Sequence, residues 1–252
     1  MRIVFMGTPD FAVPSLNALL AAGHEVVGVF TQPDKPKNRG MKLTPSPVKV
    51  VALEHDIPVY QPATLKTDEA FDALTELKPE LIVVAAYGKI LPKRILDMPP
   101  MGCINVHSSL LPRYRGAAPI NWAILNGEQE TGVTIMYMAE GLDTGDIISQ
   151  RATPIDPNET VETLHDRLAD IGASLLVETV AALADGTAMR TPQDDSLSCY
   201  APMLSRELSP IDFHQTARHI HDQVRGLIPW PATSAELGGT TFKIFAVEET
   251  NE

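Results

Sequence analysis

Two kinds of apolar pattern alternate along this chain. Short, nearly unbroken apolar runs predict buried strands, and apolar positions recurring every three to four residues predict helices. Arg2-Ile3-Val4-Phe5-Met6 is of the first kind, closed by Gly7, and reads as a parallel strand buried on both faces. Asp10 then stands where it can cap a helix, with Pro14 in the first turn, Leu16, Leu19 and Leu20 on the apolar face and Gly23 at the end. Val26-Val27-Gly28-Val29-Phe30 is a second strand. This opening predicts an α/β fold built on a Rossmann-like, mostly parallel sheet. It lacks G-x-G-x-x-G, so a dinucleotide site is not expected.

The loop from Gln32 to Pro47 is rich in Pro, Gly and Lys and long for an α/β connection, which points to function or disorder. Val48 to His55 reads as a helix, Val59-Tyr60 as a short third strand and Asp68 to Leu77 as another helix. Leu81 to Ala86 is a fully buried strand ending at Tyr87-Gly88, where glycine lets backbone approach a ligand closely. Cys103-Ile104-Asn105-Val106-His107 alternates, so Asn105 and His107 share a side, and Pro112 and Gly116 then break the strand into a loop. A helix from Pro119 to Asn126 and a strand from Gly132 to Met138 follow. The acidic turn Glu140 to Asp146, with Gly141 and Gly145, leads into a strand beginning at Ile147.

Thr160 caps a long helix whose face carries Leu164, Leu168, Ile171 and Leu175, and Gly186 ends it. Gln193 to Pro210 has little period and reads as a linker. Phe213 to Leu227 reads as a helix, Pro229-Trp230-Pro231 as a rigid stop, and Thr241 to Val247 as a strand. There is no internal repeat and no low-complexity tract.

Composition adds bounds. The 252 residues are 44% hydrophobic and 21% charged, enough for one large or two modest domains. Without a signal peptide, a long apolar run or a lipidation motif, a cytoplasmic location and no membrane contact are expected. Cys103 and Cys199 have no metal spacing and read as free thiols, Cys103 in the core. The net charge of −12 argues against a general nucleic-acid binder. Yet Lys35, Lys37, Arg39, Lys42 and Lys49 lie close together with only Asp34 to offset them. That loop is either a solvated surface or a contact for one specific RNA.

An amide and an imidazole side by side at a strand end, with Asp143 returned to them by the acidic turn, suit acyl transfer. They supply a donor to the carbonyl oxygen, a titratable group and its orienting carboxylate. Each also has a plainer role. Asn105 can satisfy loop backbone, His107 can be structural, and Asp143 can simply make the turn. Ile90, Leu91 and Leu96 either line an apolar slot or belong to the core. His219 and His221 lie two apart on a predicted helix and do not face each other, so no metal site is expected. His24, His55, His165 and His214 read as surface or packing residues.

Asn105-Val106-His107, with Ser109-Leu110-Leu111-Pro112 and Asp143-Thr144-Gly145, resembles the folate-dependent formyltransferase family. Met6-Gly7-Thr8-Pro9-Asp10-Phe11, Phe30-Thr31-Gln32-Pro33-Asp34 and Ala86-Tyr87-Gly88-Lys89-Ile90-Leu91-Pro92 extend the likeness through most of the chain, towards members acting on initiator tRNA. The resemblance implies transfer of a formyl group from 10-formyltetrahydrofolate to the α-amino group of initiator methionyl-tRNA. Asn105, His107 and Asp143 would be catalytic. Tyr87, Gly88, Ile90, Leu91 and Leu96 would hold the pterin, with Ser109 to Pro112, Gly141 and Leu142 as further folate contacts. Lys35, Lys37, Arg39 and Lys42 would meet tRNA, Arg39 at the end of the acceptor stem. Arg113 and Arg115 either assist or fix the site loop.

The implied domains are a catalytic formyltransferase domain at 1–189, a linker at 190–208 and, at 209–252, the start of an OB-type β-barrel that helps hold tRNA. A monomer is expected. Met203 departs from the family pattern, where lysine is expected. The rival readings are a formyltransferase for a sugar-nucleotide or glycinamide ribonucleotide amine, and a non-catalytic folate or RNA binder.

Overall fold

The computed structural model describes residues 1–37 and 42–250. Met1–His107, Val133–Arg151 and Ala169–Gln193 form one compact unit. Ser108–Gly132, Ala152–Leu168 and the chain from Asp194 form another.

Seven strands make the main sheet: β1 (Arg2–Gly7), β2 (Glu25–Phe30), β3 (Val59–Tyr60), β4 (Leu81–Ala85), β5 (Cys103–His107), β6 (Glu130–Tyr137) and β7 (Ile147–Pro154). Their order is β7-β6-β5-β4-β1-β2-β3. β1 pairs in parallel with β2 on one side and with β4 on the other; β3 joins β2 and β5 joins β4 in the same sense. β6 runs antiparallel to β5. This is the expected mostly parallel sheet. Strand order reverses at β1, so the chain leaves β1 and β4 in opposite directions and a crevice forms beyond their carboxyl ends.

The first unit includes the helices α1 (Val13–Ala21), α2 (Pro47–Glu54), α3 (Asp68–Leu77) and α4 (Lys93–Leu96). One face of the sheet presents Val4, Met6, Phe30, Ile82, Val84 and Cys103, which pack with Leu74, Tyr87, Leu91 and Ile95 into a buried cluster. Apolar area removed from water is the main force holding these layers together. α2 and α3 are capped by Ser46 and Thr67, whose side chains accept from the backbone of Lys49 and Ala70.

Asp10 does not cap α1 as expected. It opens a 3₁₀ turn, Asp10–Ala12, that runs straight into the helix, so Ala12 at the N-cap is already helical. The backbone N–H of Ala12 bonds to Pro9, that of Val13 bonds to Asp10, and Pro14 has none to satisfy, so little is left for a side-chain cap to do.

α6 (Val161–Ala184), introduced after α5 (Pro119–Leu125), begins at Thr160 as expected, with the Thr160 hydroxyl accepting from Thr163 N–H. It passes behind β5 at Gly172, where a Cβ would lie 2.9 Å from Val106 Cγ1. Only glycine allows that approach. Val106 alternates with Asn105 and His107, so α6 covers the face of β5 opposite to them.

In the second unit α5 packs on α7 (Ala217–Gly226), with Asn121 Nδ2 donating to Gly226 O at 2.9 Å. α7 starts later than the expected Phe213. The Asp212 carboxylate accepts the His214 backbone N–H at 3.0 Å, and that local turn displaces the first helical turn until Thr216 caps it. The aperiodic stretch from Gln193 to Pro210 is anchored within the unit: Tyr200–Ala201 pairs in parallel with Arg115–Gly116. Near the end, Thr233–Leu237 and Thr240–Ile244 form an antiparallel hairpin around Gly238-Gly239, both with φ positive. The expected strand to Val247 stops at Ile244 because Thr233, its partner, begins the opposing strand.

Candidate active site

β5 positions the first two side chains. Asn105 pairs with Val84 and Met136, and His107 with Thr134. Asn105 is half-buried and His107 is 6% exposed. Cys103 begins the same face, where its Sγ lies 3.6 Å from Ile95 O. Burial pushes the Cys103 thiol up to about 12, so it is a protonated core residue and no nucleophile.

The turn after β6 brings Asp143 back. Its Oδ2 is 3.8 Å from His107 Nδ1, at ion-pair distance. Asp143 has φ of 51°, a left-handed conformation for a non-glycine residue. Gly145 is required by contact: a Cβ there would collide with the carbonyl oxygen of Tyr137.

Three side chains that the sequence reading did not single out complete the frame. Gln193 Nε2 donates to Asp143 O at 2.8 Å and to Gly145 O at 2.7 Å. At the crevice beyond β1 and β4, Thr8 Oγ1 donates to Tyr87 O at 3.2 Å and Gln32 Nε2 to the same carbonyl at 3.0 Å. Thr8 and Gln32 carry a usable signal, since each is a polar residue just beyond an apolar strand at the switch point. Gln193 carries none, because its partners are remote in sequence.

The expected pterin residues divide. Tyr87 is 1% exposed within the core cluster, and burial pushes its phenol up to about 12. Gly88 has φ of 75°, and a Cβ there would collide with Gln32 Nε2. Leu91 is buried in the core, whereas Ile90 is 81% exposed. Leu96 lines a cavity of about 700 Å³ together with Lys93, Cys103, Met138, Ala139 and Glu140. That volume suits the ring system of a small ligand. Leu142 is exposed beside Asp143, and Gly141 lies against Thr144. Ser109 to Pro112 leave β5 and belong to the second unit. Ser109 is buried and donates to Arg113 O at 2.7 Å, Leu111 is buried, and Leu110 and Pro112 are half-buried.

The basic stretch is less uniform than its composition. Lys35–Lys37 pairs with Lys42–Thr44 as an antiparallel ribbon; Arg39 lies outside the described residues. Lys35 Nζ donates to Gln32 Oε1 at 3.0 Å. The offsetting Asp34 is committed to Lys49, at 2.7 Å, and hydrogen bonds from Lys49 and Gln61 hold its carboxyl below the usual range. Arg113 pairs with Glu128, and Arg115 ties its loop to Asp195, far along the chain. Among the described residues no group of three or more His, Cys, Asp or Glu could hold a metal ion. No described helix is long and apolar enough to cross a membrane.

Residues 1–180 match the family described as Formyl transferase, and residues 203–252 match the Formyl transferase C-terminal domain. The chain belongs to the formyl transferase family. Among its relatives, the methionyl-tRNA formyltransferase of Pelobacter propionicus is 57% identical over 243 residues, which is 96% of this chain and 76% of that one. The methionyl-tRNA formyltransferase of Geobacter sulfurreducens is 53% identical over 252 residues, covering all of this chain and 80% of the relative. A solved sugar 3-N-formyl transferase, determined in the presence of dTDP and 5-N-formyl-THF, superposes with a TM-score of 0.73 at 25% identity, over 100% of this chain and 87% of that one. In this formyl transferase, Asn105, His107 and Asp143 belong to the unit that carries the parallel sheet, and His107 ends β5.

Proposed function

We propose that this chain transfers the formyl group of 10-formyltetrahydrofolate to the α-amino group of initiator methionyl-tRNA. The reading is carried by His107 Nδ1 lying 3.8 Å from Asp143 Oδ2, with Asn105 on the same face of β5. The relatives' names support the acceptor.

The neutral amine attacks the formyl carbon. A bond forms from the amine nitrogen to that carbon, and negative charge gathers on the formyl oxygen. The Asn105 amide and an N–H of the His107 ring donate to that oxygen, fixed in place before charge develops. Asp143 orients the ring. As the intermediate collapses, the bond to N10 of the folate breaks, N10 gains a proton and the amine loses one. An α-amino group has an ordinary pKa of roughly 8, so a useful fraction is neutral at physiological pH.

In this reading Tyr87, Gly88, Ile90, Leu91, Leu96, Gly141 and Leu142 hold the pterin, and Leu96 is the one of them that lines the cavity described above. Ser109 to Pro112 contact the rest of the folate. Lys35, Lys37, Arg39 and Lys42 meet the acceptor stem, their lysines on phosphates. In this reading residues 1–189 form the catalytic domain, 190–208 the linker and 209–252 the opening of a tRNA-holding domain, and the protein acts as a cytoplasmic monomer.

The test supplies the purified protein with labelled 10-formyltetrahydrofolate and methionyl-tRNA, beside an amino-sugar nucleotide. Label on the tRNA alone supports the reading. Label on the sugar, or folate binding without transfer, overturns it.

A further inference from the structure

The Asp143 turn is held from outside by a segment far along the chain. Thr191 and Ile147 exchange both backbone hydrogen bonds, at 2.8 and 2.9 Å. Arg190 Nε lies 2.6 Å from Asp146 Oδ2, and its guanidinium stacks 4.5 Å from the Tyr137 ring. These contacts fix the backbone that presents Gln193. The single amide nitrogen of Gln193 then donates to two carbonyls, those of Asp143 and Gly145.

An amide nitrogen has two hydrogens, so one side chain satisfies both acceptors at once. Those carbonyls belong to the Asp143–Thr144 and Gly145–Asp146 peptide units, so both units are held from the same side chain. Asp143 sits at φ of 51°, which side-chain-bearing residues rarely adopt without support. Gly145 has no room to shift toward Tyr137. The direction of the Asp143 Cα–Cβ bond, and with it the approach of the carboxylate to His107, is therefore set by where Gln193 places its nitrogen.

We propose that Gln193 is a positioning residue for the formyl-transfer centre, acting through the backbone of the Asp143 turn. This rests on the reading of Asp143 as a member of that centre. Gln193 touches neither reactant. Its effect belongs in kcat, because a small misplacement of a catalytic group costs rate without costing affinity.

The decisive variant is Gln193→Met, which keeps length and volume and removes both donors. With 10-formyltetrahydrofolate and methionyl-tRNA, kcat falls by about 10- to 100-fold, while KM for each substrate stays within about twofold. The same change in an Asp143→Asn background, read in single turnovers with excess enzyme, adds little further loss, since the group being positioned is already gone. Gln193→Glu is the second variant. Its carboxylate faces two carbonyl oxygens and loses more at neutral pH. Once protonated it regains one donor, so the ratio of its kcat to wild type rises as pH is lowered through the carboxylate range.

Unchanged kcat in Gln193→Met overturns the inference, as does a loss of equal factor in both backgrounds, a loss confined to KM, or a pH-independent ratio for Gln193→Glu. Near-wild-type turnover of Asp143→Asn alone instead overturns the underlying reading of the centre.

Discussion

Asp143 Oδ2 stands 3.8 Å from Nδ1 of His107, joining the turn after β6 to the end of β5. The contact unites groups that are remote along the chain, and it makes the removal of either a specific test. On the proposed mechanism, His107→Ala and Asn105→Ala each delete one donor to the developing oxyanion. Each is expected to lower kcat by roughly 10²–10³ with the melting transition retained. Asp143→Ala also abolishes most turnover. Steady-state formylation beside circular dichroism melts checks all three; near-normal turnover of His107→Ala removes the mechanism.

Gly145→Ala acts on the same turn through backbone. The new Cβ meets the Tyr137 carbonyl, which belongs to β6 and cannot yield cheaply. Overpacking of this kind costs about 1–3 kcal/mol. The expected result is a lower melting temperature together with a fall in kcat. A variant with wild-type stability and rate would show that the turn has slack.

Asp212 gives a pH signature away from the site. The backbone N–H and side chain of His214, then the Gln215 side chain, lower its carboxyl from 3.8 to about 2. A depressed folded-state value means the stabilisation is complete above the unfolded pKa and is lost as pH falls through the folded one. The difference in melting temperature between wild type and Asp212→Ala is therefore expected to be full above about pH 4 and to vanish towards about pH 2. A difference that persists unchanged at the acid end would contradict this.

Cys103 is 3% exposed, and burial pushes its thiol up to about 12. Iodoacetamide at neutral pH is expected to leave it unlabelled in the native protein and to label it after unfolding, as peptide mass spectrometry would show. Rapid native labelling would mean that α4 opens away from β5.

Arg39→Ala is expected to weaken use of tRNA while the affinity for folate holds. Separate measurement of the two affinities decides this, and equal loss of both counts against the assignment. The tRNA affinity of the wild type should also fall steeply with salt, as phosphate contacts require.

Legibility in the sequence followed the range of the forces. β1, β4 and β5 were visible because burial on both faces, or alternation, leaves a local imprint. Asn105 and His107 were paired by that same alternation. Asp143 was placed by its glycine-bearing turn. The start of α7 was misread because Asp212 competes for backbone donors in a way that apolar periodicity ignores. The end of the last strand was misread because it is set by the length of its partner. Gln193 acts on carbonyls that are distant in sequence, and such an acceptor leaves no local pattern, whereas Thr8 and Gln32 are marked as polar residues just beyond apolar strands. The exposure of Ile90 against the burial of Leu91 was equally hidden, since adjacent apolar residues in a loop have no period to separate them.

Gly172 lets α6 lie directly behind Val106, so the reverse of β5 is sealed by a helix rather than by solvent. On the proposed placement of the site, donor and acceptor then both arrive from the other side. The formyl unit would be handed between two molecules sharing one doorway, and the order in which they queue for it would become a kinetic property of the enzyme.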